Sequence, residues 1–212
     1  MELVGITDDT HPYWKKAWKL YRESFPLREQ RTLEQHMLAM LDPAFHADII
    51  TDGGRFVGLL FYWEWGDKWR FIEHFATDRS LRGGGYGARA LGMLARGMRK
   101  AEPADFILPA ALAGAGESTL STEDVLDGFV TMLEIDPPVD EISSRREAFY
   151  KRNGYTTNPY EHIHPSFRQS TPAHQLLIMS YPRAISVEEF AEFRRFMFDV
   201  ILKYSDLESR TL

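Results

Sequence analysis

No cysteine occurs in the 212 residues. That removes disulfides, thiolate metal sites and a cysteine nucleophile. No stretch approaches the ~18 consecutive apolar residues of a membrane-crossing helix. The opening residues, Met1, Glu2 and Leu3 with Asp8 and Asp9 close behind, lack the basic and apolar regions of a secretory leader. The expectation is a cytoplasmic protein with no membrane partner. Positive charge is also scarce, with 25 Lys and Arg against 31 Asp and Glu and a net charge of −6. Nucleic-acid binding wants a basic field, so no nucleic-acid partner is expected. Residues 101–144 contain no Lys or Arg at all, while Glu102, Asp105, Glu117, Glu123, Asp124, Asp127, Glu134, Asp136, Asp140 and Glu141 fall within them. Such a field would concentrate a cationic amine, with Asp124 and Asp127 as its candidate centre, or it is a solvated acidic surface.

Two catalytic signatures are missing as well. No Gly-x-Ser-x-Gly elbow is present, so serine hydrolase chemistry has no support. No Gly-Lys-Ser/Thr closes a phosphate loop, because Gly87 is followed by Ala88 and Arg89. His162, His164 and His174 lie near one another in sequence, but Pro165 follows at once and no acidic ligand stands with them. No metal is expected.

What is present is an ordinary globular composition, 44% hydrophobic and 26% charged, in a chain long enough to bury a sizeable core. Apolar residues at Trp14, Ala17, Trp18, Tyr21 and Phe25 recur at helical spacing. A second helix is predicted over 32–41. Strands are predicted over 47–51, 56–63, 69–76, 129–135 and 175–181, with Asp52-Gly53-Gly54 as a hairpin turn. Ser186 with Glu189 forms a capping box for a last helix, whose aromatic face packs on the core or on a second copy of the chain. A homodimer therefore stays open.

The most informative stretch is Arg82-Gly83-Gly84-Gly85-Tyr86-Gly87-Ala88, between the strand at 69–76 and a helix predicted over 86–100. Glycines let a backbone approach a ligand closely and adopt positive φ. The first amides of a helix lack internal partners and carry partial positive charge, so a diphosphate is the natural guest. Gly85-Tyr86-Gly87-Ala88-Arg89-Ala90 also fits a relaxed dinucleotide fingerprint, but that motif belongs in the first strand–helix turn of a parallel sheet, and here about 68 residues come first. A second motif, Phe149-Tyr150-Lys151-Arg152-Asn153-Gly154-Tyr155, reads as a helix ended by glycine at its C-terminal cap.

With Arg82, Gly85 and Gly87 in register and the second motif following in the same order, the chain resembles the GNAT superfamily of acyl-CoA-dependent N-acetyltransferases. The resemblance covers most of residues 1–182. It implies an α+β fold with a mixed, mostly antiparallel and splayed central sheet flanked by helices. Residues 183–212 would form a C-terminal helical extension. The 101–128 stretch departs from the family pattern. It reads as a surface insertion, as a lid over the acceptor site, or as a sign that 104–109 is itself a strand.

The resemblance also implies chemistry. Acetyl-CoA would be the co-substrate, with its pyrophosphate on Arg82, Gly83, Gly84, Gly85, Tyr86, Gly87 and Ala88. Backbone at Phe75, Ala76 and Thr77 would meet the thioester arm, with the amide of Ala76 or Thr77 polarising its carbonyl. Asn153 would assist. The acceptor would be a small-molecule or peptide amine, with residues 160–172 lining its side. Transfer to an amine needs a base, an oxyanion donor and an acid for the thiolate. Glu73, in an aromatic strand just before the glycine loop, is the candidate base and Glu134 the reserve. Tyr150 is the candidate acid. Strand alternation puts Glu73 on the side of Phe71 and Phe75, opposite His74, which reads as a core histidine. The other reading is a catalytically silent acyl-CoA-binding or regulatory domain.

Overall fold

The computed structural model of the chain describes residues 1–100 and 128–207. The insertion expected at 101–128, the alternative strand at 104–109 and the acidic pair Asp124 and Asp127 thus lie outside the described residues, apart from Gly128.

Nine strands and five α-helices follow one another along the described chain. They are β1 (Glu2–Gly5), α1 (Trp14–Ser24), α2 (Leu33–Ala39), β2 (Phe45–Asp52), β3 (Arg55–Trp65), β4 (Trp69–Thr77), α3 (Tyr86–Ala95), β5 (Arg99–Lys100), β6 (Val130–Ile135), α4 (Glu141–Arg152), β7 (Thr156–Thr157), β8 (His162–His164), β9 (His174–Tyr181) and α5 (Val187–Asp199). Eight strands run in the order β5-β1-β2-β3-β4-β6-β9-β7, and β8 pairs with the opposite end of β9. Only β1–β5 and β4–β6 pair in parallel. The mixed, mostly antiparallel sheet expected from the sequence is the one observed.

Strand alternation sorts the core into two layers. Trp63, Phe71 and Met132 face one way, with α1, α2 and α5. Tyr62, Ile72 and Leu133 face the other, with α3 and α4. The C-terminal helix belongs to the first layer, where Phe193, Met197 and Ile201 are fully buried. Helix ends follow their local chemistry. Thr32, Asp140 and Ser186 each complete a capping box with the residue three positions on.

The differences from expectation are local. The glycine-loop helix ends at Ala95, and the chain turns at Gly97 with φ 63° into β5, where a helix to residue 100 was predicted. Strands β1, β5, β7 and β8 are two to four residues long and carry too short a pattern to read as strands. The third difference bears on the site. Phe61 pairs with His74, but Tyr62 pairs with Ile72, so Glu73 is the extra residue of a β-bulge. The bulge turns His74 onto the same layer as Glu73, among Tyr21, Phe25 and Phe61, while Phe75 joins the opposite layer. The expectation that His74 faces away from Glu73, and Phe75 with it, is corrected. A strict two-residue period fails across a bulge.

Candidate active site

The two parallel strands at the sheet's centre separate as they run. Pairing of β4 with β6 covers Trp69–Ile72 against Val130–Leu133 and then stops, although β4 continues to Thr77 and β6 to Ile135. Beyond the last pair the edges are free to meet something else. Asp78 N donates to Val57 O at 2.8 Å, on the β3 side. Alternation along an antiparallel ladder then directs the Ala76 amide to β3 and those of Phe75 and Thr77 into the gap. Gly58 makes this close approach feasible, since a Cβ there would lie 2.3 Å from the Ala76 carbonyl oxygen.

The glycine loop sits just past the end of β4. Asp78 caps a short 3-10 turn at Arg79–Leu81, and Arg82 continues in extended conformation. Gly83 and Gly85 have φ of 83° and 73°, left-handed values that favour glycine. Gly85 is the N-cap of α3 and offers no side chain, so no side chain closes the first turn, at Tyr86, Gly87 and Ala88. Gly87 has a different reason for being glycine. A Cβ there would come within 3.1 Å of the Phe149 ring on α4. The two sequence motifs, far apart in the chain, thus touch.

On α4, Tyr150 is buried against Tyr155 and edge-on to Phe149, in the α3/α4 layer. Burial pushes its phenol up to about 12, so it keeps its proton at neutral pH. Asn153 is the C-cap of this helix, and its side-chain amide donates to Phe149 O at 2.7 Å. Arg145 and Arg146 pair with Glu141 and Asp136.

On the other layer the gap opens into a narrow cleft of about 40 Å³ lined by Glu73, Glu134, His74, His164, Glu29 and Phe167, among others. Glu73 and Glu134 stand on its two strands in different company. Glu73 is gripped by the Arg31 guanidinium, with Nη2 donating to Oε1 at 2.7 Å and Nη1 to Oε2. Trp63 Nε1 donates to it at 3.2 Å. Arg31 is itself buried, donates to Tyr204 O at 2.9 Å and Ile201 O at 3.3 Å, and stacks 4.2 Å from the Phe167 ring centroid. Burial alone would raise the Glu73 pKa, but Arg31 and His74 outweigh it and hold the carboxyl far below its ordinary range. A base must accept a proton, and protonating Glu73 would strand a buried guanidinium. The candidate base at Glu73 thus stands in a buried ion pair with Arg31.

Glu134 has no Lys or Arg in contact among the described residues. His162 Nε2 donates to its Oε1, and His164 Nε2 lies 3.8 Å from its Oε2. Burial would raise its pKa, but His164 and His162 draw it down. Burial lowers the His164 pKa, with Glu134 pulling the other way. The expectation that no acidic residue stands with these histidines is corrected, because β6 brings Glu134 to them from 28 residues away. No metal-holding group of His, Asp or Glu occurs among the described residues. Nor is any helix among them long and apolar enough to cross a membrane.

Comparisons with known proteins agree with this geometry. Residues 13–105, from α1 through the glycine loop, match the acetyltransferase (GNAT) family model. No curated protein matches the sequence. Among solved structures, a protein from Bacteroides thetaiotaomicron assigned to the GNAT family of acetyltransferases shares 25% identity, with 95% of this chain and 98% of that one covered and a TM-score of 0.75. An aminoglycoside 6'-N-acetyltransferase complexed with coenzyme A aligns at 13% identity, 85% and 96% coverage and a TM-score of 0.52. The ribosomal-protein-S18-alanine N-acetyltransferase from Escherichia coli aligns at 13% identity, 88% and 96% coverage and a TM-score of 0.50. The last two show shared fold.

Proposed function

We propose that this chain is an acyltransferase of the GNAT family, which its similarities support, and that it moves an acetyl group from acetyl-CoA to a primary amine by direct attack in a ternary complex. The observation that carries the reading is the parallel gap between β4 and β6, with an uncapped helix N-terminus at one mouth and a polar cleft at the other.

The residues fit a coenzyme A thioester. Gly83, Gly84 and Gly85, with the first amides of α3 at Tyr86, Gly87 and Ala88, form the pyrophosphate seat, and Arg82 adds charge. The free edge of β4 receives the amide groups of the pantetheine arm as a strand would, through Phe75, Ala76 and Thr77. Of the two amides expected to polarise the carbonyl, Thr77 has the direction for it, because Ala76 points to β3. When bound, the thioester supplies an activated acetyl carbon and a thiolate leaving group. The layers divide the labour. Tyr150, in the α3/α4 layer, keeps a proton to give to the departing sulfur. The cleft in the α1/α2/α5 layer receives the amine. Glu73 supports that wall through Arg31 and takes no proton. Asn153 acts on the cofactor side only by ending α4. Residues 183–206 complete the acceptor wall, since Tyr204 and Ile201 hold Arg31. The acceptor is a small-molecule or peptide amine.

The test is a calorimetric titration with acetyl-CoA, with desulfo-CoA as control, followed by thiol release in the presence of polyamines, aminoglycosides and peptides with free N-termini. Micromolar binding with amine-dependent release supports the reading. Binding without product from any amine would favour a silent acyl-CoA-binding domain, and no binding at millimolar acetyl-CoA would end both.

A further inference from the structure

Resting on the acetyltransferase reading, we propose that His164, held beside Glu134, is the catalytic base that takes the amine proton, and that His174 and Glu29 carry the proton out of the cleft. Three observations meet here. First, His162 and His164 point inward from β8 while Ile163 between them is exposed, so the strand aims both imidazoles at β6. Second, His164 lines the cleft, and its Nε2 stands 3.8 Å from Glu134 Oε2. That is too long for a direct hydrogen bond. A single ammonium nitrogen, however, can sit ~2.9 Å from both atoms at once. An incoming ammonium ion would donate to the carboxylate and to the imidazole together. Third, an exit is in line. The His164 and His174 rings lie 5.9 Å apart, and His174 Nε2 is 3.4 Å from Glu29 Oε1, which reaches solvent. Buried polar nitrogens are seldom left without partners, yet Nδ1 of His162, His164 and His174 and Nε2 of His174 all lack a hydrogen bond within the described protein. Such atoms suit a proton path better than a rigid hydrogen-bond scaffold.

The step balances. The ammonium gives one proton to His164 Nε2, leaving a neutral amine whose lone pair forms the new N–C bond to the thioester carbon. The C–S bond breaks and its electrons go to sulfur. The second amine proton, lost as the amide forms, makes good the one that Tyr150 gives to sulfur. One proton in total leaves through His174. Glu134 stabilises the imidazolium between these events. His162, which donates its Nε2 proton to Glu134, orients the carboxylate. Glu73 and His74 on β4 face the same space, Arg146 and Asp136 also line it, and Arg28 stands 3.6 Å from both Glu29 and Asp136. Arg31 and Arg146 already have carboxylate partners, so the newly charged group nearest Glu134 is His164.

The experiment compares wild type, His164→Gln, His164→Ala and His174→Gln, with thiol release measured from pH 5 to 9 on the best amine of the panel. Acetyl-CoA affinity is read separately by calorimetry. His164→Gln is expected to lower kcat at least about 100-fold, leave the acetyl-CoA Kd within about twofold, and remove the acid limb of the kcat profile. Millimolar imidazole should restore part of the activity of His164→Ala. His174→Gln should slow turnover several-fold without changing KM. Turnover by His164→Gln within threefold of wild type, with the acid limb intact, would overturn the proposal and leave the acetyltransferase reading standing. Wild type that binds acetyl-CoA but acetylates no amine would sink that reading and this one together. Should both His164 variants fail to bind acetyl-CoA, imidazole NMR of the wild type decides. A His164 resonance that ignores pH from 5 to 9 in the acetyl-CoA complex overturns the base role, and one that titrates with the acid limb supports it.

Discussion

Glu73 and Glu134 are the same residue type, both buried, on neighbouring strands and facing one cleft. Their surroundings make them opposites. Glu73 answers a guanidinium that never gives up its proton, so the pair is a permanent charge holding α2, β4 and the C-terminal segment together. Glu134 answers imidazoles, a type of group that can take up and give back a proton. A carboxylate locked to arginine builds a wall. A carboxylate among histidines can pass a proton. The base of a site is thus chosen by what its partners can release.

The comparison breaks most violently if the C-terminal segment is removed. A chain ending at Pro182 loses Phe193, Met197 and Ile201 from the core and the two carbonyls that hold Arg31. It is expected to show no cooperative thermal transition by circular dichroism. Next in size, Glu73→Gln or Arg31→Met alone should cost about 3–5 kcal/mol in denaturant unfolding, because each leaves an unpaired buried charge. The double variant Arg31→Met with Glu73→Leu should recover most of that. Glu134→Gln should cost only about 1–3 kcal/mol, since a glutamine oxygen still accepts from His162. Equal losses for Glu73→Gln and Glu134→Gln would erase the distinction between the two walls.

Acid separates the walls by another route. Burial among aromatic rings pushes His36 down to about 3. The unfolded chain takes up this proton below about pH 6.5 while the folded chain does not, so stability falls as pH drops through that window, by at most about 1.4 kcal/mol per pH unit. Glu73 and Glu134, both depressed, add their loss only below about 4.5. Melting temperatures from pH 7 to 4.5 therefore report His36 and not the Arg31–Glu73 pair. His36→Leu should flatten the curve in that range, and an unchanged slope would contradict the assignment. Smallest of all, Gly85→Ala forces a side chain into φ 73° and should cost ~1 kcal/mol while weakening acetyl-CoA binding. It touches neither carboxylate, so His164 titration should be unaltered.

Much of this was legible in the chain itself. The glycine run before a helix and the aromatic-glycine motif after it are local patterns, and the structure places them against each other through Gly87 and Phe149. The capping box at Ser186 and the order of the long strands are equally local. What escaped depends on distance. Arg31 lies 42 residues from Glu73, and His162 lies 28 from Glu134. Nothing in the neighbourhood of any of them announces the partner. The bulge at Glu73 is invisible to a two-residue period, because one inserted residue reverses every face assignment after it.

Residue type and short-range spacing by themselves determined the glycine turn before a helix, the caps and the long strands, since turns, caps and amphipathic faces are set within a few residues. Only the tertiary structure decided that one buried glutamate meets an arginine and the other a pair of histidines. A side chain's basicity depends on the charges and solvent around it, and those were brought by strands and helices distant in sequence.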